Sequence, residues 1–165
     1  MFEREYLFNP FLLQTSTDDE LSNIINDLAK QYRQSDIAYD VVFNINLESD
    51  LLMIYGEFIA RLQERADLKK IEANNMRDKA IYQLRTDWLK TSSDKAPAMT
   101  YFEAQAEDLV KDIRIEQFKA EAMLTRFKKA YASLETKQNA LKKKLEAMKY
   151  EVVWWLTMIR KDFIG

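Results

Sequence analysis

The sequence predicts an all-α protein organised on a long antiparallel helical hairpin, with helices at about 49–91 and 100–162. A short N-terminal helix and an extended segment near 41–47 precede it. Three observations predict this class. Glycine and proline number only 2 each in 165 residues, and 32% of residues are charged, a balance typical of long helices. Between Leu51 and Trp88, apolar residues recur at steps of three, four or seven, which traces one face of a helix. A second stripe from Ala106 to Ile159 alternates threes and fours without a slip, the coiled-coil pattern. The first helix would be roughly 55–60 Å long, too long for so small a globule to wrap, and the second stripe supplies a partner of matching reach.

The elements follow in order. Residues 1–14, MFEREYLFNPFLLQ, are rich in aromatics and interrupted by Pro10. They read as an extended or one-turn arm whose apolar anchors need a surface, on this subunit or a neighbour. Thr17-Asp18-Asp19-Glu20 has the form of a capping box. Leu21, Ile24, Ile25 and Leu28 then mark a helical face that ends near Arg33. Val41, Phe43, Ile45 and Leu47 alternate with Asn44 and Asn46, a period-two signal rich in β-branched residues. With no second strand to pair with, 41–47 reads as an extended connector or as a strand that pairs with its copy in another subunit.

Glu48, Ser49 and Asp50 cap the long helix. Its stripe is Leu51, Tyr55, Phe58, Leu62, Ala66, Ala73, Met76, Ala80, Leu84 and Trp88. The polar stretch Thr91–Pro97 ends it, and Thr100-Tyr101-Phe102-Glu103 offers a second capping box. The second stripe carries Gln117 and Gln138 at seam positions, where polar residues fix register at a cost in stability. The organisation expected is an N-terminal region of arm, short helix and connector over 1–50, and over 51–165 a long helical hairpin. The second helix outruns the first, so its end must kink, fold back or reach another subunit.

Composition narrows the chemistry. There is no His and no Cys, which removes the commonest general base, the thiolate nucleophile and the commonest metal ligand. With glycine only at positions 56 and 165, no phosphate-cradling loop can be built. The acidic rows Glu103, Glu107, Asp108, Asp112 and Glu116 read as partners for the basic first helix rather than as a metal site. No enzyme activity, cofactor or metal is expected. Neither is a signal peptide or a membrane span, since no apolar run approaches the required length. A reducing, cytoplasmic setting fits the absence of Cys.

Charge is unevenly placed. Residues 1–50 hold 3 basic and 10 acidic residues, and residues 51–165 hold 22 and 17, so an acidic head precedes a body of net +5. Residues 126–149 carry 8 basic and 2 acidic residues. With a turn centred on residue 95, residues i and 191−i would face each other, and this segment would have few counter-charges. Basic grooves interleaved with aromatics hold single-stranded nucleic acid, and Phe127, Tyr131 and Tyr150 lie nearby. Trp154 and Trp155 read as core or interface.

Taken together, VVFNINLES (41–49), LLMIYGEF (51–58), KKIEANNMRDKAIYQLRTDWL (69–89), the polar break and EDLVKDIRIEQFKAEAMLTRFKKAYASLE (107–135) resemble the UvsY family of phage recombination mediators. The resemblance covers roughly residues 40–160. It implies a non-enzymatic, ring-shaped homo-oligomer that binds single-stranded DNA in the host cytoplasm. Such a protein helps a RecA-like recombinase assemble in place of single-strand-binding protein. It places DNA contacts in the helix before the break, at Lys69, Lys70, Arg77, Lys79 and Arg85. The uncompensated segment adds Arg126, Lys128, Lys129, Lys142 and Lys143. The alternative is a non-enzymatic coiled-coil scaffold, adaptor or inhibitor that acts through protein contacts.

Overall fold

The computed structural model describes residue 9 and residues 12–164, with side chains to 161. Most of the expected N-terminal arm lies outside the described residues. Four helices follow: α1 (Asp18–Lys30), α2 (Ala38–Thr91), α3 (Met99–Leu109) and α4 (Lys111–Ile164). Among the described residues there is no strand, and α2 packs against α4 as the hairpin expected. The chain forms two compact units, residues 1–58 with 127–165, and residues 59–126.

The first unit is a three-helix assembly. Helix α1 begins as the sequence says. Glu20 N–H donates to Thr17 Oγ1 at 3.2 Å, and Thr17 N–H donates to the Glu20 carboxylate at 2.7 Å. Its Leu21 and Leu28 join Phe43, Leu47, Leu51, Ile54 and Phe58 of α2 in one buried cluster, with Phe127 and Leu134 of α4 packed against it. The Phe58 and Phe127 rings stack at 4.9 Å between centroids. Gln138 reaches across the seam, donating to Ser49 Oγ at 2.6 Å and to the Ile45 carbonyl at 3.1 Å. The polar seam position therefore ties α4 to α2 at one register.

The expected extended segment 41–47 is helical, and α2 starts at Ala38 rather than near 49. The cause is a coincidence of periods. Phe43, Leu47, Leu51, Ile54 and Phe58 also step by four and three, which suits a helix. Here α2 is enclosed by α1 on one side and α4 on another. Apolar residues therefore occupy more than one face and imitate alternation. A helix also satisfies its own backbone, which a lone strand cannot. Asn44, which alternation puts on a polar outer face, is fully buried. Its side chain accepts from Arg33 N–H at 2.9 Å and donates to the Arg33 carbonyl at 2.8 Å and to Ser35 Oγ at 3.1 Å. It thus fixes the α1–α2 connection.

The second unit is the hairpin proper. Leu62, Ala66 and Ala73 of α2 are buried, as are Phe102 and Ala106 of α3, Val110 between the helices, and Ala120 and Leu124 of α4. Four alanines in this set make a thin core of closely approaching backbones. Met76, placed in the stripe by spacing, is 47% exposed. The single helix expected over 100–162 is interrupted at Val110, and the Thr100 capping box does not form. Helix α3 starts one residue earlier, behind Ala98, with no side-chain cap. The register also departs from the symmetric turn. Near the turn Trp88 meets Phe102 at 6.5 Å, as a turn centred on 95 requires. Further on, Lys69 meets Glu116, about six residues short of position 122. Arg77 meets Glu107 rather than position 114, so the displacement is already present within α3, before the break at Val110.

Candidate nucleic-acid interface

The new register decides which cations are engaged. In the second unit, Lys69 Nζ lies 3.0 Å from Glu116 and 3.2 Å from Glu72. The hydrogen bond to Glu116, then that to Glu72, raises its pKa above the ordinary lysine value. Arg77 lies 3.3 Å from Glu107 and 3.5 Å from Asp78. Glu107 is shared with Arg114, whose Nε and Nη2 approach it at 3.3 and 3.2 Å. The Arg114 hydrogen bond, chiefly, holds the Glu107 carboxyl below its ordinary pKa. Arg114 also donates to Asn74 of α2 at 2.7 Å and to Gln117 at 3.0 Å. This guanidinium therefore bridges the break at Val110 and clamps α4 to α2.

Lys69 and Arg77, both expected at the DNA, thus serve the hairpin's own charge pairing. Lys70, Lys79, Arg85 and Arg126 are exposed and have no carboxylate within ion-pair distance among the described residues. The acidic rows divide in the same way. Glu107 and Glu116 meet the basic helix as expected, whereas Glu103, Asp108 and Asp112 make no such pair among the described residues.

In the first unit, Lys128, Lys129, Lys142, Lys143, Lys144 and Lys149 of α4 are exposed and unpaired among the described residues. Lys129 and Lys143 project from the back of the helix, opposite the seam of Phe127, Leu134, Gln138 and Leu141, and Lys128 projects from its flank. Lys137 is different. Its Nζ lies 3.3 Å from the fully buried Glu48 and 3.8 Å from the centre of the Tyr32 ring. Burial, then the Glu48 carboxylate, pushes the Tyr32 phenol above its usual pKa. Of the aromatics expected to interleave with the basic segment, Phe127 packs on Tyr55 and Phe58, and Tyr131 lies against Gly56. Tyr150 alone of the three is open, at 77% exposure.

Sequence reasoning missed Arg114, the buried role of Glu48, and Tyr82, which is 72% exposed on α2. Only Tyr82 left a readable signal, since Lys79 and Arg85 flank it at one turn on either side. Beyond Met148 no described side chain of α4 is buried; Ile37 and Ala38 at the start of α2 line an open cavity with Met148, Val152 and Val153 rather than packing on them. Val152, Val153, Trp154, Trp155 and Leu156 are 57–62% exposed. Among the described residues, no group of three Asp or Glu side chains gathers to hold a metal ion, and no helix is long and apolar enough to cross a membrane. The chain matches no protein-family model, no curated protein and no solved structure.

Proposed function

We propose that this protein binds single-stranded DNA as a homo-oligomer and acts as a recombination mediator. In that role it helps a RecA-like recombinase replace single-strand-binding protein, in the cytoplasm of the host if it is viral. The observation that carries the reading is the row of exposed lysines on α4, unopposed by carboxylates among the described residues. A solvated face of that charge holds phosphates without reading sequence. The mediator role rests on the UvsY resemblance. Self-association is supported by the end of α4. Trp154 and Trp155 each present on the order of 100–150 Å² of surface. With Val152, Val153, Leu156, Met158 and Ile159 they ring the end of the helix with apolar surface, so that each face offers part of the roughly 800 Å² per partner of a stable interface. A second copy of the chain suits it, because every copy brings the same apolar segment. A ring of such copies sums weak contacts into useful affinity.

The test is a salt titration of a labelled oligonucleotide with the wild type and with Lys128→Glu/Lys129→Glu/Lys143→Glu. We expect at least a tenfold loss in the variant and a smaller salt slope. Wild type that fails to bind at low salt while its oligomer is intact would sink the proposal. The exposed apolar end of α4 favours a second reading, a coiled-coil scaffold or adaptor whose ligand is a protein. On that reading the charge reversals alter protein capture, and no form binds DNA.

A further inference from the structure

Tyr82 has no role in the packing of the second unit. It is 72% exposed on α2, and its hydroxyl makes no hydrogen bond among the described residues. Lys79 precedes it by three residues and Arg85 follows it by three, so both lie beside the ring on the same side of the helix. Their Cα atoms are about 9 Å apart along the axis, short enough for neighbouring phosphates of one strand to reach both. Of the nearby acids, Asp78 has a cationic partner and Asp87 a neutral one. Asp78 lies 3.5 Å from Arg77, and Asp87 accepts from Gln83 at 3.0 Å. Two free cations thus bracket an open aromatic ring; Asp78, on the same face, is paired with Arg77, and Asp87 is turned about 140° round the helix from Tyr82.

We infer that Tyr82 is a base-stacking platform for single-stranded DNA, with Lys79 and Arg85 holding the phosphates on either side of the stacked nucleotide. The inference rests on the single-strand-binding reading above and gives it a site that the charge pattern alone does not. Stacking tolerates any base, which suits a protein that coats a strand without sequence preference. The flanking cations distinguish this face from a protein-docking core, where charged side chains are depleted. Tyr150 is equally open but has Glu146 one turn before it and Glu151 beside it, neither with an ion pair among the described residues. Those carboxylates would repel a phosphate.

The experiment compares the full chain with Tyr82→Leu, Tyr82→Trp and Lys79→Gln/Arg85→Gln. The probes are a labelled thymidine oligonucleotide and an abasic strand of equal length, each titrated with salt, with solution mass measured in parallel. Tyr82→Leu should weaken binding to the thymidine strand about 5- to 100-fold with the salt slope unchanged. Tyr82→Trp should retain affinity, and the abasic strand should not distinguish Tyr82→Leu from wild type. Lys79→Gln/Arg85→Gln should lower the salt slope by about 1.4. If Tyr82→Leu binds the thymidine strand as wild type does, the platform is refuted while the single-strand-binding reading stands. A fall in solution mass together with lost DNA binding would make Tyr82 a subunit contact and overturn the inference. Wild type that binds neither strand overturns both.

Discussion

Among the lysines of α4, Lys137 has its charge directed into the protein. Glu48 is fully buried, and its carboxylate depends on Lys137 at 3.3 Å. Removing one partner of such a pair leaves a charge in a poorly solvated site. Lys137→Ala should therefore lower the stability by about 1–3 kcal/mol, less than for a wholly buried pair because the lysine is half exposed. Lys129→Ala should stay within about 0.5 kcal/mol. Urea unfolding midpoints of the two variants provide the comparison. Glu107 offers a pH-dependent counterpart. Its folded pKa is lowered from the ordinary 4.5, chiefly by Arg114. It therefore contributes stability above that value and loses it as pH falls through the folded pKa. The carboxylate is 42% exposed, so solvent limits the effect to within about 1 kcal/mol. The stability gap between wild type and Arg114→Met should narrow as pH drops below about 4.5, leaving the part due to the Asn74 and Gln117 hydrogen bonds.

At the scale of elements, the end of α4 makes the sharpest prediction. The 3–4 stripe that seats α4 against α2 continues through Val152, Trp155 and Ile159, which stay exposed among the described residues. If second copies cover it, Trp154→Glu/Trp155→Glu should lower the solution mass measured by light scattering and leave far-UV helicity unchanged. An unchanged mass would remove this segment from the interface. What could be read from the sequence follows from the same stripe. Long runs of one period, Leu51–Trp88 and Ala106–Met148, identify helices because few other structures repeat that way over so many turns. The Thr17–Glu20 box was legible because its two hydrogen bonds are local. The helix at 41–47 was not, since burial on two faces hides the 3.6-residue period. The break at Val110 carries no glycine or proline to announce it. For the site, the positive residues could be identified, but their partners could not. Whether Lys69 and Arg77 are free depends on a register displaced by several residues from the symmetric turn, and local patterns do not contain that displacement.

Over the whole molecule, net charge and binding charge are separate quantities. The chain has formal charge −2 and pI near 5.4, yet 126–149 carries 8 basic and 2 acidic residues. Phosphate contacts are dominated by charges within a Debye length, about 8–10 Å at physiological salt, so the acidic N-terminal sequence need not prevent binding. Composition then makes a prediction about pH. His and Cys are the side chains whose ordinary pKa values lie near neutrality, and the chain has neither. Lysine, with an ordinary pKa of about 10.4, is not such a side chain. DNA affinity should accordingly change less than about twofold between pH 6 and pH 8 at fixed ionic strength. Over the same interval it should fall steeply with salt, with a slope near 0.7 for each phosphate neutralised. Fluorescence anisotropy of a labelled oligonucleotide on a grid of pH and salt measures both. A strong pH response at constant salt would mean that binding depends on a titrating group other than these lysines.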